Sequence, residues 1–205
     1  MPNPWDIPPW PDFGDEKPDT IFRAVGQALS TWEVVEDSLA DFFAFLVGPF
    51  SRSYPETTPA IRAYGSIISF NARCEMISAA AKGFFHKHKH EEFEAEFRTL
   101  VKAANGWASR RNDLAHGRVG RLQSRPGYFL YPGLYNSRKH PVGEPPAYVY
   151  NADEIHKFIA GFELLYGDLN AYRKRVFAWQ REQIRVQLRL PPQLDIPPQD
   201  QDDQQ

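Results

Sequence analysis

The chain contains little cysteine and no long apolar run. Among its 205 residues only Cys74 carries a thiol, so no intrachain disulfide can form, which fits a reducing compartment. No stretch reaches the roughly 18 apolar residues that a membrane-spanning helix needs. The first residues lack the basic and apolar regions of a secretory signal. These absences predict a soluble, cytoplasmic protein with no membrane partner.

Strong global charge and the common cofactor motifs are also missing. The net charge is only -2, so overall charge argues neither for nor against a nucleic-acid partner. The sequence contains no glycine-rich phosphate loop, no nucleophile elbow and no zinc-finger spacing. We therefore expect no cofactor and no metal site, and we expect function to depend on a small local group of residues.

The composition is otherwise that of one well-filled domain with tails, since 42% of the residues are hydrophobic. Residues 1–18 form a proline-rich arm whose aromatic residues suggest packing on the surface, and Asp19 or Thr20 then offers a helix N-cap. Residues 19–190 are predicted to be a helical domain. Residues 191–205, rich in Pro, Gln and Asp, are predicted to be disordered.

Apolar residues spaced alternately three and four apart predict four long helices in a four-helix bundle, an all-α fold. The first runs to about Leu46, before Gly48-Pro49. The second covers about 59–86, and the third begins near Glu91 and extends to Leu114, with Asn105-Gly106 as a place where it can break. Asn151 and Asp153 are the N-cap candidates of the last helix, which ends before Pro191-Pro192. The predicted core positions of the second helix are Ile61, Tyr64, Ile68 and Ile77.

Residues 117–150 form an insertion of a different character. They are rich in Gly and Pro and contain two short aromatic runs, at 128–131 and 148–150. Such runs, bounded by turn-forming residues, are typical of short strands. We expect a small β-hairpin in which these two runs pair.

The segment Arg111-Asn112-Asp113-Leu114-Ala115-His116-Gly117 is the strongest functional motif. Histidine has an unperturbed pKa near 6.5 and exchanges protons at neutral pH. Arginine remains charged and presents a planar fork of donors that matches a phosphoryl group gaining charge. Asn112 precedes His116 by four residues, on one helical face, where it is placed to orient the ring.

This motif resembles the Arg-x(4–6)-His signature of the HEPN superfamily, and the Asn after the Arg and the Gly after the His strengthen the resemblance. The resemblance implies an all-α bundle that acts as a metal-independent endoribonuclease: the RNA 2′-OH attacks the adjacent phosphodiester, leaving a 2′,3′-cyclic phosphate and a 5′-OH. It also implies a homodimer. A toxin, paired with an antitoxin or another regulatory protein, and a phage-defence effector are both compatible settings.

The geometry of a straight helix supports a paired site. Arg111 and His116 are five residues apart, which at about 100° per residue places them about 140° apart around the axis. Two copies facing each other across a two-fold axis would bring one copy's arginine to the other's histidine. Arg110 also fits the signature, but we favour Arg111 because it precedes Asn112 and lies on the seam that faces the bundle interior. Glu33 and Glu36 of the first helix are candidate supporting acids.

Local charge around the motif favours RNA as the partner. Between residues 102 and 125 there are six basic residues and one acidic residue, Asp113, which give a local charge of +5. Such a basic segment favours phosphate contacts. Beyond the motif we expect RNA contacts from Lys102, Arg118, Arg121 and Arg125. Aromatic residues of the insertion offer stacking faces for unpaired bases.

Two other readings of the motif remain open. Arg111 can be a structural residue that pairs with an acid on the first helix, with His116 simply closing its helix before Gly117. A HEPN-like module that binds RNA or a partner protein without cleaving is the alternative function.

Overall fold

The computed structural model describes residues 3–48, 59–136 and 138–187. Over these ranges the protein is mostly helical with one small antiparallel sheet, as the sequence predicts. The elements are, in chain order, α1 (Pro18–Val47), α2 (Pro59–Gly65), α3 (Phe70–Lys87), α4 (Glu91–His116), β1 (Gly117–Leu122), β2 (Arg125–Pro132) and α5 (Ala152–Gln187). In this described part, no helix combines the length and the apolarity that a bilayer crossing requires. The predicted disordered tail and Pro49 lie outside the described residues.

The core lies between α1 and α5, which α3 and α4 flank. The apolar residues at three-four spacing that predict α1 and α5 are buried, except Val25, Leu46 and Trp179, which are partly buried. Buried residues of α1 include Ala28, Trp32, Val35, Leu39 and Phe42, and those of α5 include Ile155, Phe158, Phe162, Leu165, Leu169, Tyr172 and Val176. The three-four spacing places each set on one face of its helix, so the two apolar faces pack together.

The prediction of one continuous helix over 59–86 is wrong in the middle of this range. The chain forms α2 and α3 with a break between Gly65 and Phe70. Arg73 Nε donates a hydrogen bond to the carbonyl oxygen of Ile67 at 2.7 Å, and Ser69 Oγ caps α3 by accepting from the amide of Ala72 at 3.4 Å. A serine that bonds to the backbone in this way favours a helix start over a helix interior. Ile68, a predicted core residue, lies in the break and is 98% exposed.

Two helix starts show how capping sets the boundaries. α1 begins at Pro18 with Lys17 at the N-cap position, not at Asp19 or Thr20, because proline is favoured in the first turn, where its missing N–H has no helical partner. At α5, Asn151 Oδ1 accepts a hydrogen bond from the amide of Glu154 at 3.0 Å. Of the two predicted caps for α5, Asn151 is therefore the one used.

α4 runs unbroken through Asn105 and Gly106 to His116. Gly106 is required there for a packing reason: a Cβ on it would lie 2.3 Å from the Trp5 ring. Trp5 belongs to the N-terminal arm and also packs edge-on against Trp107 at 6.3 Å between ring centroids. The arm therefore covers one side of α4, as its aromatic residues suggested, and the motif stays on one straight helix.

The hairpin pairs different segments from those predicted. β1 directly follows α4 and pairs antiparallel with β2, with Gly117 opposite Pro132. The 148–150 run contributes only one bridge, Tyr150 to Leu130. Gly117 ends α4 in extended backbone (φ -77°, ψ 162°), so the chain enters the sheet one residue after His116. β1 went unrecognised because Gly-Arg-Val-Gly-Arg-Leu has little of the β-branched and aromatic character of strands.

Candidate functional site

The side chain of Arg111 extends from α4 towards α1 and is partly exposed to solvent. Its Nη2 is 3.5 Å from Glu36 Oε1 and 3.8 Å from Glu33 Oε1, and its side chain is 30% exposed. Both acids predicted from the first helix thus lie beside it. The same guanidinium donates to Asn112 Oδ1 at 3.2 Å. The ion pairs from α1 to Arg111 are therefore long, and part of the guanidinium remains exposed to solvent.

Glu36 is buried where α1, α3 and α4 meet, and its carboxylate contacts a residue of each helix. Its Oε1 accepts a 2.6 Å hydrogen bond from Trp32 Nε1, and its Oε2 pairs with Arg73 Nη1 of α3. A buried carboxylate is stable only when charges and donors surround it. Arg73 was not a sequence candidate, because a pairing from α3 to α1 has no local spacing signal. With Arg73 as its main partner, Glu36 can position Arg111 without neutralising it fully.

Arg110 has a different environment from Arg111. It is buried, its Nη2 lies 3.2 Å from Asp113 Oδ2, and its Nη1 donates to the Tyr150 hydroxyl at 2.9 Å. The prediction that Arg111 faces the interior was wrong in this respect, since Arg110 is the more buried of the two. The i,i+3 spacing puts Arg110 and Asp113 on one face. Arg110 is therefore a structural arginine.

Asp113 joins the motif helix to the segment before α5. Its side chain is 0% exposed and pairs with Lys139 Nζ through Oδ1. The Tyr150 hydroxyl donates to Oδ2 at 3.0 Å, and the Tyr148 hydroxyl donates to the Asp113 carbonyl oxygen at 3.0 Å. Burial, together with the nearby Asp113 charge, raises the pKa of both tyrosines. Both hydroxyls thus stay protonated and act as donors, fixing the segment 139–150 against the last turns of α4.

His116 lies at the solvent-exposed end of the motif. It is the final residue of α4 and is solvent-exposed. Within the described ranges, no side-chain hydrogen bond or ion pair engages its imidazole. Asn112, expected to orient the ring, is also exposed, and its amide oxygen faces Arg111 instead. The imidazole is free to approach a ligand or a second copy of the chain.

The predicted RNA-contacting residues divide into two groups. Lys102, Arg118 and Arg121 are exposed. The guanidiniums of the two arginines lie over the rings of Tyr131 and Tyr128, each at 4.8 Å, an arrangement that pre-orients the cation.

Arg125 instead anchors the N-terminal arm. It donates to the carbonyl oxygens of Trp10 and Pro11 at 3.1 and 2.5 Å and pairs with Asp12 at 3.1 Å. The accessible positive charge near the motif is therefore smaller than the sequence count of +5, because Arg125 pairs with Asp12, which lies outside the counted residues.

Comparison with known proteins gives no match: no family model, no curated protein and no solved structure matches this chain. The functional argument therefore rests on the residues and geometry of the chain itself.

Proposed function

We propose that the protein is a metal-independent endoribonuclease of the HEPN type, and that α1, α3, α4 and α5 form the four-helix bundle of that superfamily. The observation that carries the proposal is the contrast between Arg111 and His116. The arginine is held by Glu33 and Glu36 and keeps part of its fork exposed. The histidine is exposed at the helix end with no side-chain partner in the described chain. The exposed part of the guanidinium can bind a phosphoryl oxygen, and an imidazole without a partner can exchange protons with a ligand.

The proposed reaction needs no external nucleophile. The ribose 2′-OH attacks the adjacent phosphorus, the P–O5′ bond breaks, and a 2′,3′-cyclic phosphate and a 5′-OH remain. One proton leaves the 2′-OH and one reaches O5′, which is the exchange that imidazole performs near neutral pH. Arg111 stabilises the negative charge that develops on the phosphoryl oxygens. Asn112 supports Arg111 by accepting a hydrogen bond from its guanidinium.

A homodimer is part of the proposal. Because α4 is unbroken over Glu91–His116, Arg111 and His116 project about 140° apart from one straight helix. Two α4 ends related by a two-fold axis would place the arginine of one copy near the histidine of the other. Mixing Arg111→Ala and His116→Ala proteins should then restore part of the activity, since each mixed dimer retains one intact pair. A wild-type enzyme that is active as a monomer would contradict the composite site.

The enzyme proposal is tested by RNA cleavage in EDTA. Single-stranded RNA is incubated with wild type, Arg111→Ala and His116→Ala, and with two matched surface controls. Arg98→Ala removes an exposed arginine from the same helix, and His156→Ala removes an exposed histidine from α5. We expect cleavage by wild type and both controls and a loss of at least about 100-fold in the two site variants. Equal activity in all five proteins would indicate contamination and contradict the proposal.

The second candidate is a non-catalytic module that binds RNA or a partner protein. The ion pairs of Arg111 with Glu33 and Glu36 are also what an arginine that only joins two helices would make. RNA that is bound by wild type in the same assay but never cleaved, with a protein of normal thermal stability, would support the module. Under that reading, a toxin or phage-defence role requires a separate nuclease.

A further inference from the structure

The segment between β2 and α5 places a lysine next to the motif helix. Lys139 Nζ pairs with Asp113 Oδ1, and Asp113 precedes His116 by one helical turn on the same side of α4. Residues three apart on a helix have Cβ atoms about 5–6 Å from each other. The Nδ1 of the neighbouring His140 is 3.3 Å from the carbonyl oxygen of Pro132, the residue paired with Gly117 at the end of α4.

The backbone holds Lys139 in this position. Its amide donates to the carbonyl oxygen of Asn136 at 3.1 Å and to Asn136 Oδ1 at 3.2 Å. Its own carbonyl oxygen accepts from the amide of Ala147 at 2.8 Å. The lysine therefore occupies a fixed point on the segment, and its position beside α4 does not depend on the ion pair alone.

The charges around Asp113 leave one cation in excess. Two cations, Arg110 and Lys139, surround the single carboxylate. Arg110 is buried and contributes its donors to Asp113 and Tyr150, so it already balances the carboxylate. The Lys139 side chain is 38% exposed, and an ammonium has three donors, of which Asp113 takes one among the described contacts. The exposed excess charge therefore lies on Lys139.

We propose that Lys139 binds an RNA phosphate on the His116 side of α4, resting on the function proposed above. On this side of the helix the motif itself offers Asn112 and the His116 imidazole but no arginine, since Arg111 lies about 140° away. A phosphodiester approaching His116 needs a nearby cation to offset the desolvation of its charge. Lys139 supplies that cation from the insertion, and Asp113 orients its side chain.

The test measures RNA binding against salt. All proteins carry His116→Ala so that the RNA stays intact, and binding of a single-stranded oligonucleotide is followed from 50 to 400 mM KCl, about an eightfold range that resolves one phosphate contact. Lys139→Met removes the charge and keeps the stem, Lys139→Arg retains the charge, and Arg138→Met is the matched control at the adjacent exposed position. Lys139→Gln removes the charge, keeps an amide donor for Asp113, and replaces Lys139→Met if that variant fails to fold.

We expect Lys139→Met and Lys139→Gln to bind more weakly and to reduce the slope of log K against log [salt] by about 0.7, one single-strand phosphate contact. Lys139→Arg and Arg138→Met should keep the parent slope. An unchanged slope in the folded Lys139→Met or Lys139→Gln variant, with RNA bound normally by the parent, would overturn this inference alone. Absence of RNA binding by the parent protein would overturn the proposed function together with it.

Discussion

Replacing Arg110 and Arg111 one at a time should separate a structural arginine from a functional one. Arg110→Met removes a buried cation and leaves the fully buried Asp113 carboxylate with Lys139 and Tyr150. Breaking a buried ion pair costs about 3–5 kcal/mol. The remaining partners, and the fact that Arg110 Nε itself has no hydrogen-bond partner in the described structure, place the expected loss near the lower end, at about 3 kcal/mol.

Arg111→Met should cost about 1 kcal/mol or less, because its ion pairs are loose and partly exposed. For a chain of this length each kcal/mol corresponds to about 2–4 °C in Tm, so Arg110→Met should lower Tm by about 6–12 °C. The assay is urea unfolding of both variants with thermal unfolding in parallel, followed by RNA cleavage at a temperature where both are folded. Arg111→Met should be stable and inactive. If Arg110→Met unfolds like wild type while Arg111→Met loses more than about 2 kcal/mol, the assignment of roles is wrong.

Two further predictions concern the core. Gly161→Ala should destabilise the protein, since a Cβ there would lie 2.3 Å from the Trp107 ring, whereas Gly167→Ala on the same helix meets nothing within 4 Å and should stabilise it by about 0.5–1 kcal/mol; equal urea midpoints would contradict this. Burial raises the pKa of the Cys74 thiol from 9.0 to about 12. Because the thiol ionises more easily in the unfolded chain, the pKa difference contributes to the free energy of unfolding. This contribution is complete below pH 9.0 and is lost as pH rises towards 12. Urea midpoints should fall over this range, less steeply in Cys74→Ala; parallel curves for the two proteins would refute the attribution.

The sequence predicted the parts of the fold that depend on periodic burial. The seams of α1 and α5 could be read because helical spacing alone decides which residues face the core. The break before α3 could not, because it depends on a bond from Arg73 to the Ile67 backbone and on the Ser69 cap. A continuous apolar pattern carries no information about such contacts.

At the site, the sequence located the motif but not its supports. Glu33 and Glu36 were candidates because they lie on the first helix, and they do contact Arg111. Lys139 and Tyr150 were missed because both are more than twenty residues beyond Asp113 in the chain. One signal was present: an acidic residue at position 113, on the helix face of Leu114 and Arg110, is rarely buried unless cations reach it.

The most direct test of the central claim is the chemical identity of the products. A defined single-stranded RNA is incubated in EDTA with wild type and with His116→Ala, and the fragments are analysed by mass spectrometry. The account predicts wild-type fragments that end in 2′,3′-cyclic phosphate and begin with 5′-OH, and intact RNA with His116→Ala and with a fully 2′-O-methylated substrate. Fragments carrying 5′-phosphate, cleavage of the methylated RNA, or intact RNA with the wild-type protein would each contradict it.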